Sequence, residues 1–265
     1  MTVAFGVDIG GSGIKGARVD VDSGALAQDR FKILTPQPPK VSATIDVVRE
    51  LVEAAGWSRS FGCTFPGIVQ HGRLLSAANL GDAWVGLDLE HELEGQLGVP
   101  VAVLNDADAA GLAEMRFGAG KGRDGTVILT TLGTGIGTAI FVDGRLLPNT
   151  ELGHLEIDGK IAESRASSAV KTRKGLSYEE YAARLQRYYR HLEFLFSPDL
   201  IIVGGGISRK HDRFLPLLKL RTEIVPAALE NQAGIVGAAM AARERFGADA
   251  TEPDVAPAEE STPLG

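Results

Sequence analysis

Two near-continuous apolar runs, Val3 to Ile9 and Ile14 to Val21, open the chain and flank a short glycine-dense turn. Both runs read as strands, and Ala27 to Ile33 reads as a third. The period then lengthens. Ser42 to Ala55 reads as a helix and is followed by short strands at Phe61 to Phe65 and Val101 to Leu104. Asp106 to Phe117 is predicted as a helix, and Val127 to Leu132 and Ile136 to Val142 as strands. Tyr178 to Phe196 forms a helix opened by Ser177, with Glu180 placed to complete a capping box and Tyr181, Leu185, Tyr188, Leu192 and Leu195 as its apolar stripe. Leu200 to Val203 is a short buried strand ending in Gly204, Gly205 and Gly206, and Ala233 to Phe246 is a final Ala-rich helix. The second half repeats the strand, turn, strand order of the first. The pattern predicts an α/β fold of two similar lobes that face each other.

The two turns carry the first chemistry. Asp8-Ile-Gly-Gly-Ser-Gly-Ile-Lys15 and Leu132-Gly-Thr-Gly-Ile-Gly-Thr138 each join two strands, so neither is the strand-to-helix turn of a dinucleotide fold or a P-loop. Glycines there let backbone N–H groups approach an anion without obstruction by a Cβ atom. In the first loop Ser12 adds a hydroxyl donor, Lys15 a compensating charge, and Asp8 a carboxylate suited to a magnesium shell. Gly10, Gly11, Ser12, Thr134 and Gly135 are the candidate phosphate contacts. An ordinary hairpin needs only one or two residues at positive φ. A pair of such loops reads as a phosphoryl-transfer clamp.

Composition fits this picture. The chain has 265 residues, 44% of them hydrophobic, with a mean hydropathy of +0.04, as expected of a soluble globular protein with room for two domains. No apolar run approaches the ~20 residues that span a bilayer, and no basic region with a following apolar stretch marks a secretory leader. A cytoplasmic protein with no membrane partner is expected. The single cysteine, Cys63, excludes an intrachain disulfide and any multi-cysteine zinc site.

The net charge of −7 is unevenly spread. Residues 249 to 265 hold five acidic residues and no basic one, and this Pro-containing tail is expected to be disordered. Residues 165 to 221 hold twelve Lys and Arg against five acidic residues. That surplus fits either solvated helix faces or an electropositive track for a long anion, with Lys171, Arg173, Lys174, Arg209 and Lys210 as candidate contacts.

Between the lobes, an apolar strand runs directly into Asn105-Asp106 at a helix start. Asp106 on a rigid element end is the candidate general base, kept ionised by the helix dipole, or else only a helix cap. Asn105 offers a donor and an acceptor for a neighbouring hydroxyl. A polar cluster follows the second loop, with Glu151, His154 and Glu163 able to contact several adjacent hydroxyls. A His with two acids fits equally a metal site or a surface salt-bridge group.

Taken in order, the loop from Asp8 to Gly16, Asn105-Asp106, Leu132 to Gly137, Glu151-Leu-Gly-His154, Gly204 to Gly206 and Ala233 to Ala239 resemble the successive motifs of ROK-family sugar kinases. Glu163-Ser-Arg-Ala-Ser and Asn231-Gln-Ala-Gly-Ile-Val-Gly look most like the actinobacterial polyphosphate glucokinases of that family, including polyphosphate/ATP glucomannokinases. The resemblance covers residues 3 to 242. It implies the duplicated actin/hexokinase-like (ribonuclease H-like) fold with a cleft between lobes. A small lobe would span 1–105, a large lobe 106–234, and helix 235–248 would pack back on the small lobe. The implied reaction is transfer of a terminal phosphoryl group to the 6-hydroxyl of glucose, with polyphosphate or ATP as donor and Asp106 as base. Asn79, Asn105, Glu151, His154 and Glu163 would fix the sugar, and Gly67 would approach it by backbone. Gly205 and Gly206 would join the two loops at the donor, with Mg2+ near Asp8 through water. Many relatives hold zinc through cysteines after the His of this motif; none lies between His154 and Glu163, so no zinc is expected. The chain shows none of the helix-turn-helix that repressor members carry, so no nucleic-acid partner is expected, and a homodimer is the family's arrangement. The other readings weighed are a mainly ATP-dependent glucokinase, a non-catalytic sugar sensor and an actin-like filament ATPase.

Overall fold

The computed structural model describes residues 1–78 and 80–253. In chain order its strands and helices are β1 (Thr2–Ile9), β2 (Ile14–Asp20), β3 (Phe31–Ile33), α1 (Val41–Ala54), β4 (Phe61–Phe65), β5 (Val69–Gln70), β6 (Arg73–Leu74), α2 (Leu89–Leu97), β7 (Val101–Asn105) and α3 (Asp106–Phe117). The second half continues with β8 (Thr126–Leu132), β9 (Ile136–Val142), β10 (Arg145–Leu147), β11 (Glu156–Ile157), β12 (Lys160–Ile161), α4 (Glu163–Ala166), α5 (Ser168–Arg173) and α6 (Tyr178–Phe196). It ends with β13 (Leu200–Gly204), β14 (Glu223–Pro226), α7 (Ala233–Phe246) and β15 (Glu252–Pro253).

The duplication is visible in the sheets. One runs β3-β2-β1-β4-β7 and the other β10-β9-β8-β13-β14. In each, three antiparallel strands of a meander are extended by two strands parallel to the first. The layers follow from burial on both faces of the central strands. Ile45, Val48, Leu51 and Val52 of α1 close the outer face of the first sheet over Phe5 and Val7. Tyr181, Leu185, Tyr188 and Leu192 of α6 close the outer face of the second over Ile128, Ile201 and Val203. Between the sheets, α3 and α7 share a third core with residues of both.

Small residues let these middle helices sit close. A Cβ at Gly6 or Gly62 would overlap the backbone of α7 at Ile235 or Ala238, and one at Gly237 would overlap the carbonyl of Ala109 in α3. The Ala/Gly composition of α7 is therefore a packing requirement at the junction of the two sheets.

Most expected elements are present. The capping box of α6 forms, Ser177 accepting from the Glu180 N–H while the Glu180 carboxylate accepts from the Ser177 N–H. Its stripe is shifted: Leu195 is 46% exposed, and Tyr189 is buried in its place. A 3.6-residue period carries the apolar face past Leu195 by the last turn. The third strand begins at Phe31 rather than Ala27, because exposed Asp29 and Arg30 break the pairing after the single bridge of Leu26 to Val19. Helix α2 was not expected, although Asp88 caps it, Leu89, Leu93 and Leu97 recur at helical spacing, and Gly98 ends it in the left-handed region. Of the tail read as disordered from residue 249, the part up to 253 is built into the fold: Glu252 and Pro253 pair with β1. Glu252 also forms an ion pair with Arg18. Residues 254–265 lie outside the described residues.

Candidate active site

Both loops are strand-to-strand turns, closing β1–β2 at the Ile9/Ile14 pair and β8–β9 at the Leu132/Ile136 pair. Each is held by its carbonyls. The Thr35 hydroxyl donates to the Gly10 carbonyl at 2.5 Å and the Gln37 amide to the Gly11 carbonyl at 3.3 Å. In the second loop Ser168 Oγ and the Ala169 N–H both donate to the Gly133 carbonyl. Among the described residues the N–H groups of Gly11, Ser12, Thr134 and Gly135 donate to nothing, and Ser12 and Thr134 are exposed. These are the groups an incoming anion would meet.

Gly205 lies at φ +82°, where a side chain is strained, and a Cβ there would overlap the backbone of Leu132 at the end of β8. That contact seats the Gly204–Gly206 turn against the second loop.

Asp8, next to last in β1, is half-buried. Its Oδ1 accepts from the Thr64 hydroxyl at 2.8 Å and its Oδ2 from Lys15 Nζ at 3.3 Å. Lys15, read from the sequence as a compensating charge for the loop, is here paired with Asp8. Thr64 was not singled out; its position on β4 becomes relevant only through the parallel pairing that sets it opposite Asp8.

Asp106 is the first residue of α3. The cap is Asn105, whose Oδ1 accepts from the N–H groups of Ala107 and Asp108 while its Nδ2 donates to the Gly67 carbonyl. Asp106 is therefore not the N-cap. Nor does the helix terminus hold it strongly ionised. Burial, with the negative charge of Asp8 next in importance, outweighs its bond from the Ala107 N–H and pushes its pKa up to about 7. Glu151 and Asp108 add to the repulsion.

The sugar candidates of the large half converge on His154. Its Nδ1 is 3.2 Å from Glu151 and its Nε2 3.9 Å from Glu163. Burial raises the pKa of Glu151, and His154 opposes that shift. Glu163 also accepts from the Ile136 N–H at 3.1 Å, so the cluster is tied directly to the second loop. At Gly67 the space of a Cβ is taken by the Ser76 carbonyl, so the close approach that requires glycine is to the chain's own backbone. Asn79 lies outside the described residues.

The basic residues divide. Lys171 donates to the Leu176 carbonyl and lies 4.1 Å from the Tyr178 ring centroid, so its ammonium serves the end of α5. Arg213 covers the same ring, which brings the two basic stretches side by side. Arg173, Lys174, Arg209 and Lys210 are exposed. Both stretches start at glycine-rich turns, α5 at Gly133 of the second loop and the turn Gly206–Arg213 directly after Gly205.

The model of the ROK family matches residues 4–174. The chain belongs to the ROK family. This ROK protein is 52% identical over 238 residues to the polyphosphate glucokinase of Mycobacterium tuberculosis, covering 89% of this chain and 90% of the relative. It superposes with a TM-score of 0.88 on the inorganic polyphosphate/ATP-glucomannokinase of Arthrobacter sp. strain KM, at 53% identity over 91% of this chain and 98% of the other. A ROK glucokinase from Streptomyces griseus, solved with glucose and AMPPNP, matches at 27% identity and a TM-score of 0.79 over 91% and 99% of the two chains. The fold is the actin/hexokinase-like one of sugar kinases.

Proposed function

We propose that this chain is a polyphosphate-dependent glucokinase that also accepts ATP, and that Asp106 is its general base. The observation that carries the chemistry is the placement of a carboxylate with a pKa near 7 on a rigid helix start, electrostatically coupled to Asp8 at the first loop and Glu151 of the sugar cluster. The O6–H of glucose gives its proton to Asp106 as O6 bonds to the terminal phosphorus. The bridging P–O bond breaks, leaving the shortened polyphosphate or ADP with the electron pair. Catalysis of this kind rests on positioning and charge stabilisation. Asn105, Glu151, His154, Glu163, Asn79 and the Gly67 backbone orient the sugar. Gly10, Gly11, Ser12, Thr134, Gly135, Gly205 and Gly206 hold the donor phosphates.

Phosphoryl transfer of this class uses a divalent cation, and the half-buried Asp8 carboxylate offers the hard oxygen donor that Mg2+ prefers. Asp8 would hold it through water, and the ion would neutralise charge on the donor phosphates. No zinc is proposed, since no cysteine lies near His154; stoichiometric zinc in the purified protein would overturn this. For the arrangement of copies we propose a homodimer in the cytoplasm. Phe194, 80% exposed on α6, is an apolar group that a second copy would cover, and a monomeric mass by light scattering would contradict it. No nucleic acid or membrane partner is proposed; among the described residues no helix is long and apolar enough to cross a membrane.

The deciding assay is glucose 6-phosphate formation with polyphosphate or ATP as sole donor. One observation favours ATP as more than a secondary donor. A cavity of about 800 Å³ lined by Gln28, Asp29, Arg30, Arg209, Glu230 and Asn231 is large enough for a nucleoside. Turnover with ATP alone would make that reading the main one.

A further inference from the structure

Asn149 lies between β10 and the turn that carries Glu151 and His154, and it was not among the candidate residues. Its backbone is left-handed, with φ +59°, a conformation asparagine tolerates better than most residues. Its side chain reaches to β5 in the first half of the chain. There Oδ1 accepts from the Val69 N–H at 2.8 Å while Nδ2 donates to the Val69 carbonyl at 2.8 Å. One side chain thus satisfies both backbone groups of a buried residue, as a neighbouring strand would. The Asn149 N–H is in turn held at 2.8 Å by Oδ2 of Asp108, which is buried.

The two ends of this tie are themselves fixed. On one side Thr150 exchanges hydrogen bonds with Thr138 of β9, and the Leu152 N–H donates to the Thr138 hydroxyl, so Glu151 is held from both flanks. On the other side the Gly67 carbonyl is held by Asn105, the residue before Asp106. The only group spanning Gly67–Val69 and Asn149–Glu151 among the described side-chain hydrogen bonds is the Asn149 amide.

We propose that Asn149 is a positioning residue that fixes the Glu151/His154 segment in register with the Gly67–Val69 segment, and so sets the affinity for the sugar without touching it. The inference rests on the glucokinase reading above. Loss of the two paired hydrogen bonds would loosen that register, with an expected effect on sugar binding of about tenfold.

Asn149→Gly tests it, because glycine keeps the left-handed backbone and removes only the amide. In a wild-type enzyme that phosphorylates glucose, the variant is expected to raise the glucose KM about tenfold, to leave the donor KM within twofold, and to speed hydrogen exchange at the Val69 amide. A folded Asn149→Gly enzyme with native glucose KM overturns the proposal, whether or not Val69 exchange changes. Should Asn149→Gly fail to fold, the isosteric Asn149→Asp sets an oxygen against the Val69 carbonyl. It should raise the glucose KM at least as far, and a native value overturns the proposal equally. If the wild type phosphorylates no glucose, the sugar reading falls on its own. The tie is then decided by Val69 exchange alone: acceleration in Asn149→Gly supports it, and no change refutes it.

Discussion

Asp106 and Asp108 stand two residues apart on α3 and both carry pKa values raised to about 7, with burial the largest cause in each. Their surroundings differ. Both feel the charge of Glu151, but Asp106 also faces Asp8, whereas Asp108 is buried with its Oδ2 on the Asn149 N–H and its Oδ1 without a partner among the described residues. With Asp106 as the proposed base, kcat/KM should fall as pH drops through about 7, where its carboxylate becomes protonated, and Asp106→Asn should lower kcat by about 10²–10⁴-fold with glucose affinity kept. Native turnover in a folded Asp106→Asn protein would remove it from the mechanism. For Asp108 the consequence is stability. A carboxyl whose pKa is higher in the fold than in the unfolded chain favours folding only while protonated in both states, so its contribution is full below about pH 4 and is lost as pH rises to about 7. Asp108→Asn mimics the protonated form. Urea denaturation should find it more stable than wild type at pH 8, with the advantage shrinking towards pH 5; an advantage independent of pH would refute the assignment.

At the scale of elements, the site depends on how closely α3 and α7 cross between the sheets. The two helices place Asp106 at one start and Gly234, which abuts Asp8, at the other. Gly237 permits the crossing, since a Cβ there would overlap the Ala109 carbonyl. Gly237→Ala must push the helices apart, at a cost of about 2–3 kcal/mol, and it should lower the urea midpoint with m unchanged. A midpoint equal to wild type would mean that the crossing is looser than described. The expected helix boundaries of α3, α6 and α7 hold to the residue or nearly so, because caps and apolar periods are local signals. The 4- and 6-residue helices α4 and α5 were not read, since each is stabilised by what it packs on rather than by its own sequence.

At the scale of the whole molecule, charge separates the two donors. Polyphosphate extends beyond the reactive terminus and gains from basic groups outside the loops, whereas ATP does not. Lys171 is occupied with Leu176 and Tyr178, and Arg209 lines the cavity large enough for a nucleoside, so the informative variant is Arg173→Gln, Lys174→Gln and Lys210→Gln together. It should raise the KM for long polyphosphate several-fold more than that for ATP, with the difference shrinking as salt screens these exposed charges. Equal effects on both donors at low salt would mean that the surplus of charge is only a solvated surface.

The chain by itself determined the strands, the long helices and the two glycine-dense turns, and it singled out Asn105-Asp106 and the Glu151, His154, Glu163 set as candidates. These are legible because periodicity, caps and glycine-dense turns act within a few residues of where they are written. Tertiary structure alone decided which groups meet. Thr64 reaches Asp8 through a parallel pairing 56 residues away in sequence, and Asn149 reaches Val69 across 80, distances over which no local pattern carries information. It also decided the protonation of Asp106. The helix start, visible in the sequence, argues for a carboxylate held ionised, but desolvation and the nearness of Asp8 exist only once the two sheets are folded against α3 and α7, and in that setting they are the larger effect.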